Sequence, residues 1–168
     1  TVFKRKDGSP LRPFGSAEEM DEFMIRAWNE RVRPRDKVYH CGDVVINRRF
    51  LSVLGRLNGD KVLIKGNHDI FKVEDYLAHF RDIRAYHVMR GMILSHVPVH
   101  PDSLGRFGVN VHGHLHANRV MLPRGVNAAT GEILYSDCVD PRYFNVSVEQ
   151  IDFAPILLED LVQIGRAH

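Results

Sequence analysis

Residues 37–43 have the sequence KVYHCGD, a short apolar run that ends in a glycine and an aspartate. Residues 61–69, KVLIKGNHD, repeat the arrangement with glycine, asparagine, histidine and aspartate at the end. Short apolar runs bounded by glycine are typical of buried strands. Residues 49–57 lie between the two runs and carry apolar side chains at helical spacing. Strand and helix therefore alternate, which predicts an α/β fold.

The rest of the sequence predicts further elements around this unit. Ser16 and Glu19 have the spacing of a capping box, so we expect a helix from residue 17 to a point near Arg33, which precedes a proline. Farther along, the pattern predicts helices at residues 72–80 and 158–164, strands at 83–88, 92–94, 107–111 and 142–148, and loops or a hairpin at 118–140.

The length and composition indicate one folded domain, which we expect to span residues 1–168. The 23 basic and 21 acidic residues give a net charge of +2, which does not favour a membrane surface or long nucleic acid as a partner. No apolar stretch approaches the roughly 20 residues of a membrane helix, and the first residues lack the apolar core of a signal peptide. Because there are two cysteines in all, we expect a reducing, cytoplasmic location.

Four predicted strands end in side chains that can bind a metal ion or a phosphate. Ligand sites in open α/β sheets gather beyond the carboxyl ends of strands, so these side chains are candidates for one site. Carboxylate, amide oxygen and imidazole without thiolate suit Mn, Fe, Co, Ni or Zn. Any one of these motifs alone is also typical of an ordinary turn or a structural histidine. Their occurrence together, in this order along the chain, favours a metal site. The residues are Asp43, Asn67 with His68, His96, and His114 with His116.

The pair His114 and His116 is the strongest single piece, because extended backbone would place both imidazoles on one face. For other residues near the motifs we favour ordinary roles. We expect Arg48 and Arg49 to begin a solvated helix, although a guanidinium there could also contact a substrate phosphate. Structural roles are predicted for His40, Cys41 and His112.

The motifs, taken together, resemble those of the calcineurin-like metallophosphoesterases, particularly the small single-domain bacterial and phage members. The resemblance extends over most of the chain. It implies a four-layer α/β/β/α sandwich of two mixed sheets flanked by helices, with two divalent metal ions at one end. The matching motifs are Gly42-Asp43, Gly66-Asn67-His68-Asp69, Ser95-His96 and Gly113-His114-Leu115-His116.

The resemblance also implies roles for individual residues. Asp43 would bridge both metal ions, and His116 would help to hold the first ion. The second ion would be held by Asn67, His96 and His114 together with Asp43. His68 would be the general acid, and Asp69 would orient it. Mn is the expected ion, with Fe, Zn, Ni or Co as alternatives.

One motif of the family is absent from this sequence. The family's first strand ends in Asp-x-His, and no such motif occurs in these 168 residues. We therefore expect the first strand to be missing and the domain to be incomplete at its N-terminal side. Either the complete protein starts earlier, or this form binds one metal ion well and the other poorly.

The predicted function is metal-dependent hydrolysis of phosphodiester or phosphomonoester bonds by a metal-activated water, with diesters favoured. The expected substrate is a small phosphate ester such as a nucleotide, and an oligomer is compatible with the sequence. Two alternatives remain open. One is a non-catalytic binding scaffold of the same fold, for which the general acid His68 would be unnecessary. The other is a single-metal form that is impaired by the absence of the first motif.

Overall fold

A computed structural model of the chain describes residues 13–166. The strands are β1 (Lys37–His40), β2 (Asp60–Ile64), β3 (Asp82–Arg84), β4 (Tyr86–Met89), β5 (Met92–Ser95), β6 (Val109–His112), β7 (Met121–Val126), β8 (Ile133–Val139) and β9 (Tyr143–Asn145). The α-helices are α1 (Ala17–Arg31), α2 (Val73–Leu77) and α3 (Leu158–Arg166). The described part of the chain also contains 3₁₀ helices at Arg48–Arg56, Pro101–Arg106 and Val148–Gln150.

Within residues 13–166, the first sheet, sheet A, has three parallel strands in the order β1-β2-β3. Its middle strand β2 carries Val62, Leu63 and Ile64, all of them 0% exposed. A strand that is apolar on both faces must be covered on both faces, as parallel sheets usually are. Sheet A is therefore an interior layer.

The second sheet, sheet B, has the order β4-β5-β6-β9. Strand β4 is antiparallel to β5, whereas β5, β6 and β9 run parallel to one another. The two sheets share one apolar core, to which β2 contributes Ile64, β5 contributes Leu94 and β6 contributes Val111. Leu161 of α3 belongs to the same core. The sheets therefore pack against each other.

Helices cover the side of sheet A that faces away from this core. Leu51 and Leu54 of a 3₁₀ helix and Tyr76 of α2 form a second apolar cluster with Leu63 of β2. Beside sheet B, Leu104 forms a third cluster with Ile93 and Tyr143. The chain is therefore a mixed α/β protein in which several sheets are flanked by helices, consistent with an α/β sandwich.

Helix α1 begins and ends close to the predicted positions. The Ser16 hydroxyl accepts a hydrogen bond from the Glu19 N–H at 3.0 Å, while the Glu19 carboxylate accepts from the Gly15 N–H at 2.8 Å. The helix ends at Arg31, with Val32 in extended backbone. Trp28 anchors the helix by donating its indole N–H to the Asn58 carbonyl at 2.9 Å, in the turn before β2.

Some predicted elements differ from the structure. The strand predicted at residues 83–88 is two strands, β3 and β4, which belong to different sheets because the chain crosses between the sheets at Ala85. The strand predicted at residues 142–148 stops at Asn145, because its side-chain oxygen accepts the Ser147 N–H at 2.9 Å and turns the chain. The helix predicted at residues 49–57 is the 3₁₀ helix Arg48–Arg56, and the one predicted at 72–80 is only Val73–Leu77.

Residues 118–140 contain the hairpin β7-β8, one of the two predicted possibilities. None of the helices in residues 13–166 combines the length and the apolarity that crossing a membrane requires. The predicted absence of a first strand concerns the chain before residue 13, which lies outside the described residues.

Candidate metal centre

Four loops meet at one end of the two packed sheets. Each loop follows the carboxyl end of a strand, β1 and β2 in sheet A and β5 and β6 in sheet B. Each loop contributes one member of a set that we call the four-ligand cluster: Asp43, Asn67, His96 and His114.

The candidate ligand atoms lie very close together. His96 Nε2 is 2.8 Å from Asn67 Oδ1, 3.2 Å from Asp43 Oδ2 and 3.2 Å from His114 Nδ1. His114 Nδ1 is 3.0 Å from Asn67 Oδ1. Around an ion with bonds of about 2.1 Å, neighbouring ligand atoms are separated by about 3.0 Å in octahedral and about 3.4 Å in tetrahedral geometry. The spacing of the cluster therefore suits one divalent ion.

The hydrogen bonding of His96 favours the form that binds metal. Its Nδ1–H donates to the Cys41 carbonyl at 2.7 Å, so its Nε2 presents a lone pair to the cluster. Histidines that bind metal usually donate the other ring N–H to a carbonyl or carboxylate in this way. The side chain is 5% exposed, which keeps this orientation.

The acceptor atoms of the cluster also favour a bound cation. Asp43 presents a carboxylate oxygen, Asn67 an amide oxygen and His96 a lone pair, so three acceptors converge at one point. Burial, and then the neighbouring His96, lowers the pKa of His114, which favours its neutral form. Neutral imidazole is the form that binds metal. A divalent ion would satisfy all four groups together.

Two glycines allow the loops after β1 and β2 to approach each other. Gly42 has φ of +89°, and a Cβ there would lie 2.6 Å from the Gly66 nitrogen and 2.7 Å from His96 Nδ1. A Cβ on Gly66 would lie 2.6 Å from the Asp43 nitrogen. Neither position has room for a side chain, so the glycines set the separation of the candidate ligands.

Asp69 joins the same two loops through its carboxylate. It accepts hydrogen bonds from the N–H groups of Asp43 at 2.8 Å, Val44 at 3.0 Å and Gly66 at 2.7 Å, and it is 1% exposed. The family resemblance implies that Asp69 orients His68. In the structure, both carboxylate oxygens of Asp69 accept from the backbone of the loops that carry Asp43 and Asn67, so these hydrogen bonds fix that backbone.

His68, the predicted general acid, lies at the exposed rim of the centre. Its main-chain N–H donates to Asp43 Oδ1 at 2.8 Å, while the other carboxylate oxygen of Asp43 faces His96. The pKa of His114 is affected by His68 less than by burial, His96, Asp43 and His116. The position of His68 therefore places a titratable imidazole beside the cluster.

His116 occupies a different position from the one its spacing predicts. His114 and His116 have φ of +67° and +50°, so this segment is a left-handed turn and the two rings do not share a strand face. The His116 ring nitrogen Nδ1 lies 3.4 Å from Glu149 Oε1. Its carbonyl accepts from the side-chain amides of Asn145 at 2.9 Å and Gln150 at 3.2 Å.

Glu149, Asn145 and Gln150 are residues that the sequence reasoning missed. Asn145 lies within the predicted last strand, and Glu149 and Gln150 directly follow it, but no spacing rule connects them to His116 more than 25 residues away. The Glu149 side chain is only 7% exposed, whereas that of His116 is 54% exposed. The three residues therefore hold His116 from the protein side and leave part of it open to solvent.

The residues for which ordinary structural roles are predicted make ion pairs, ring contacts and main-chain hydrogen bonds within the protein. Arg48 forms an ion pair with Asp75 at 2.6 Å, and the Arg49 guanidinium lies 4.6 Å from the centre of the Phe50 ring. Burial lowers the pKa of His40 and of His112, and it raises the pKa of the Cys41 thiol to about 12. His112 is 0% exposed and donates to the Gly113 carbonyl at 2.8 Å.

Comparison with known proteins gives relatives without assigned functions. No protein-family model matches the chain. It is 34% identical over 157 residues to the uncharacterized protein MJ1445 of Methanocaldococcus jannaschii, a match that covers 91% of this chain and 79% of that protein. Its structure is similar to that of the protein of unknown function AQ665 from Aquifex aeolicus, with a TM-score of 0.64, 23% identity, and coverage of 92% of this chain and 89% of that one. The structural similarity shows a shared fold.

Proposed function

The chain belongs to the same family as the Methanocaldococcus jannaschii protein, and from the four-ligand cluster we propose that it is a metal-dependent phosphoesterase with a calcineurin-like fold. The observation that carries the proposal is the convergence of Asp43 Oδ2, Asn67 Oδ1, His96 Nε2 and His114 Nδ1 from four separate loops. A carboxylate, an amide oxygen and two imidazoles form a ligand set suited to Mn, with Fe, Zn, Ni or Co as alternatives.

The four-ligand cluster is the proposed site of one well-bound ion. For a second ion we propose Asp43 and His116 as ligands, and this chain offers that ion a smaller set. His116 suits the role because the Glu149 carboxylate lies 3.4 Å from its Nδ1, which favours the tautomer with a lone pair on Nε2. We therefore propose that residues 1–168 bind one ion tightly and a second ion weakly.

The proposed reaction is hydrolysis of a small phosphate ester. A bound divalent ion supplies positive charge that stabilises the transferring phosphoryl group and makes water more acidic. His68 donates a proton to the leaving oxygen, for which it is placed by the bond between its main-chain N–H and Asp43 Oδ1. Asp69 keeps the two ligand-bearing loops of sheet A at a fixed separation, since it accepts from the backbone of both.

The test is hydrolysis of an aryl phosphodiester and an aryl phosphomonoester by the purified chain loaded with Mn²⁺, together with its metal content. Asp43→Asn should lose bound metal and lower hydrolysis by at least about 100-fold, because it removes the charged ligand. Asp137→Asn is the matched control, since Asp137 is an exposed carboxylate on β8 and should leave both measurements unchanged.

Two results would count against the proposal. If Asp43→Asn retains the metal content and the hydrolysis rate of the parent, the site assignment is wrong. If the parent binds Mn²⁺ in the four-ligand cluster and hydrolyses neither ester, the non-catalytic scaffold takes the place of the enzyme.

A further inference from the structure

A groove of about 400 Å³ adjoins the four-ligand cluster. Asn67 and His96 form one side of it, so the groove and the cluster share two residues. Its remaining walls come from the crossing between the sheets, from β5 and from the loop after β5. We call it the Tyr86 groove and define it by Lys65, Tyr86, Ile93, Ser95, Val97 and Val99.

The volume is within the range of small-molecule sites, roughly 300 to 1,000 Å³. Tyr86 is 58% exposed and Val97 is 47% exposed, so two large apolar side chains face solvent beside a polar centre. Apolar surface in a concavity next to convergent polar groups is typical of ligand sites. A molecule held at the cluster would lie beside this surface, because Asn67 and His96 belong to both the cluster and the groove.

One polar side chain that lines the groove, Ser95, already makes its hydrogen bonds within the protein. The Ser95 hydroxyl donates to the Val97 carbonyl at 2.7 Å and accepts from the Asn110 side-chain amide at 2.9 Å. Because of these bonds, Ser95 has little hydrogen bonding left for a polyhydroxylated group, and Ile93, Val97 and Val99 around it offer apolar contact. Tyr86 adds an aromatic ring, which packs well against another planar ring.

The charge near the groove favours an anionic ligand. Lys65 is exposed in the wall and immediately precedes the Gly66-Asn67 turn that carries a candidate metal ligand. An ammonium group at this place complements the negative charge of a phosphoester. The groove therefore combines an aromatic and apolar surface with a positive charge on the side of the cluster.

We propose that the Tyr86 groove binds a planar aromatic group of the substrate while the phosphoryl group lies at the four-ligand cluster. The inference rests on the proposed function and specifies its substrate class. The class is phosphoesters that carry a nucleobase or an aryl ring, in preference to sugar or polyol phosphates.

The test is equilibrium binding of phosphonates, which are not hydrolysed, to the chain loaded with Mn²⁺. Phenylphosphonate should bind about 10-fold more tightly than methylphosphonate, as expected for one ring packed against an aromatic and apolar surface. A methylenephosphonate analogue of adenosine monophosphate forms a further arm. Its affinity relative to phenylphosphonate distinguishes a nucleobase from a simple aryl ring as the group that the groove binds.

Two matched pairs of variants test whether the Tyr86 groove causes the preference for phenylphosphonate. Tyr86→Ala should remove most of the advantage of phenylphosphonate, whereas Tyr135→Ala, at a tyrosine that is 59% exposed on β8, should retain it. Val97→Glu should weaken phenylphosphonate binding by at least about 10-fold, because it replaces an apolar side chain with a carboxylate that repels the anionic ligand. Val88→Glu is its control, since Val88 is 43% exposed on β4 and is not part of the groove.

The possible outcomes distinguish failure of the groove proposal from failure of the metal-site proposal. Equal affinities for the two simple phosphonates would overturn the groove proposal, as would equal losses of phenylphosphonate affinity in Tyr86→Ala and Tyr135→Ala. In either case, binding of methylphosphonate would still support the metal site. If neither phosphonate bound the loaded chain, the proposed function and the groove that rests on it would both be wrong.

Discussion

Asp69 shows how one buried carboxylate can shape a site without facing its ligand. Three main-chain N–H groups from two loops donate to it, and it is 1% exposed. Hydrogen bonds to a charged acceptor contribute more than neutral ones, roughly 1.5 to 3 kcal/mol each. Removing the charge would therefore affect both the stability of the protein and the separation of Asp43 from Asn67.

We predict that Asp69→Asn lowers the free energy of unfolding by about 2 kcal/mol or more, because an amide nitrogen would face a main-chain N–H. Metal affinity should fall by about 10 to 100-fold, as for other residues that orient ligands. Urea denaturation and a Mn²⁺ titration measure the two effects. Asp137→Asn serves as the control, and an Asp69→Asn protein with parental stability would show that the three bonds are unimportant.

A second prediction concerns His68. His68→Ala should lower turnover of an alkyl phosphodiester by about 10² to 10⁴-fold with the metal content unchanged, because the residue is proposed to protonate the leaving oxygen. An ester with a nitrophenolate leaving group needs little protonation and should lose less. Loss of bound metal in this variant would instead make His68 a ligand, and equal losses with both esters would exclude proton donation.

The loop after β1 depends on left-handed backbone at two successive residues. Gly42 has φ of +89°, and it is followed by Asp43 with φ of +55°. The sharp turn brings the Cys41 carbonyl against His96 and the Asp43 carboxylate against the cluster. A single loop therefore supplies one candidate ligand and orients another that lies on sheet B.

We predict that Gly42→Ala destabilises the protein by more than the roughly 1 to 2 kcal/mol of a left-handed residue alone, because its Cβ would also collide with Gly66 and His96. Gly91→Ala is the matched control, since Gly91 has φ of +76° and no atom within 4 Å of an added Cβ. Thermal unfolding compares the two. Equal shifts of Tm would mean that the close approach of the loops contributes nothing beyond backbone strain.

The molecule as a whole brings together ligands that are distant in the chain. Asp43 and Asn67 come from sheet A, and His96 and His114 come from sheet B, so the cluster exists only when the two sheets pack. An unfolded chain has no such arrangement. Metal binding should therefore be coupled to folding, because an ion that binds the native state alone stabilises it.

We predict that Mn²⁺ at about 100 times its Kd stabilises the chain by about 2.7 kcal/mol and raises Tm by roughly 5 to 10 °C, an effect that a chelator reverses. His114→Ala should lose most of this increase. His100→Ala, at a histidine whose side chain is 71% exposed, should keep it. An increase of the same size in both variants would place the ion outside the four-ligand cluster.

The sequence by itself was sufficient to predict features that depend on residues close together in the chain. Apolar runs that end in glycine predict β1 and β2, the Ser16 spacing predicts the start of α1, and the strand ends carry all four residues of the cluster. These signals work because strand burial, helix capping and turn formation are set within a few residues. The α/β class follows from their alternation.

Other features were decided only by the tertiary structure. Three such features depend on parts of the molecule that are far apart in the sequence. They are the crossing between the sheets at Ala85, the hydrogen bonds of Asp69 to the loop after β1, and the contact of His116 with Glu149. His114 and His116 are left-handed, although their spacing predicts an extended segment. The physical reason is that packing of two sheets selects these conformations and partners, and its energy comes from contacts between residues far apart in the chain.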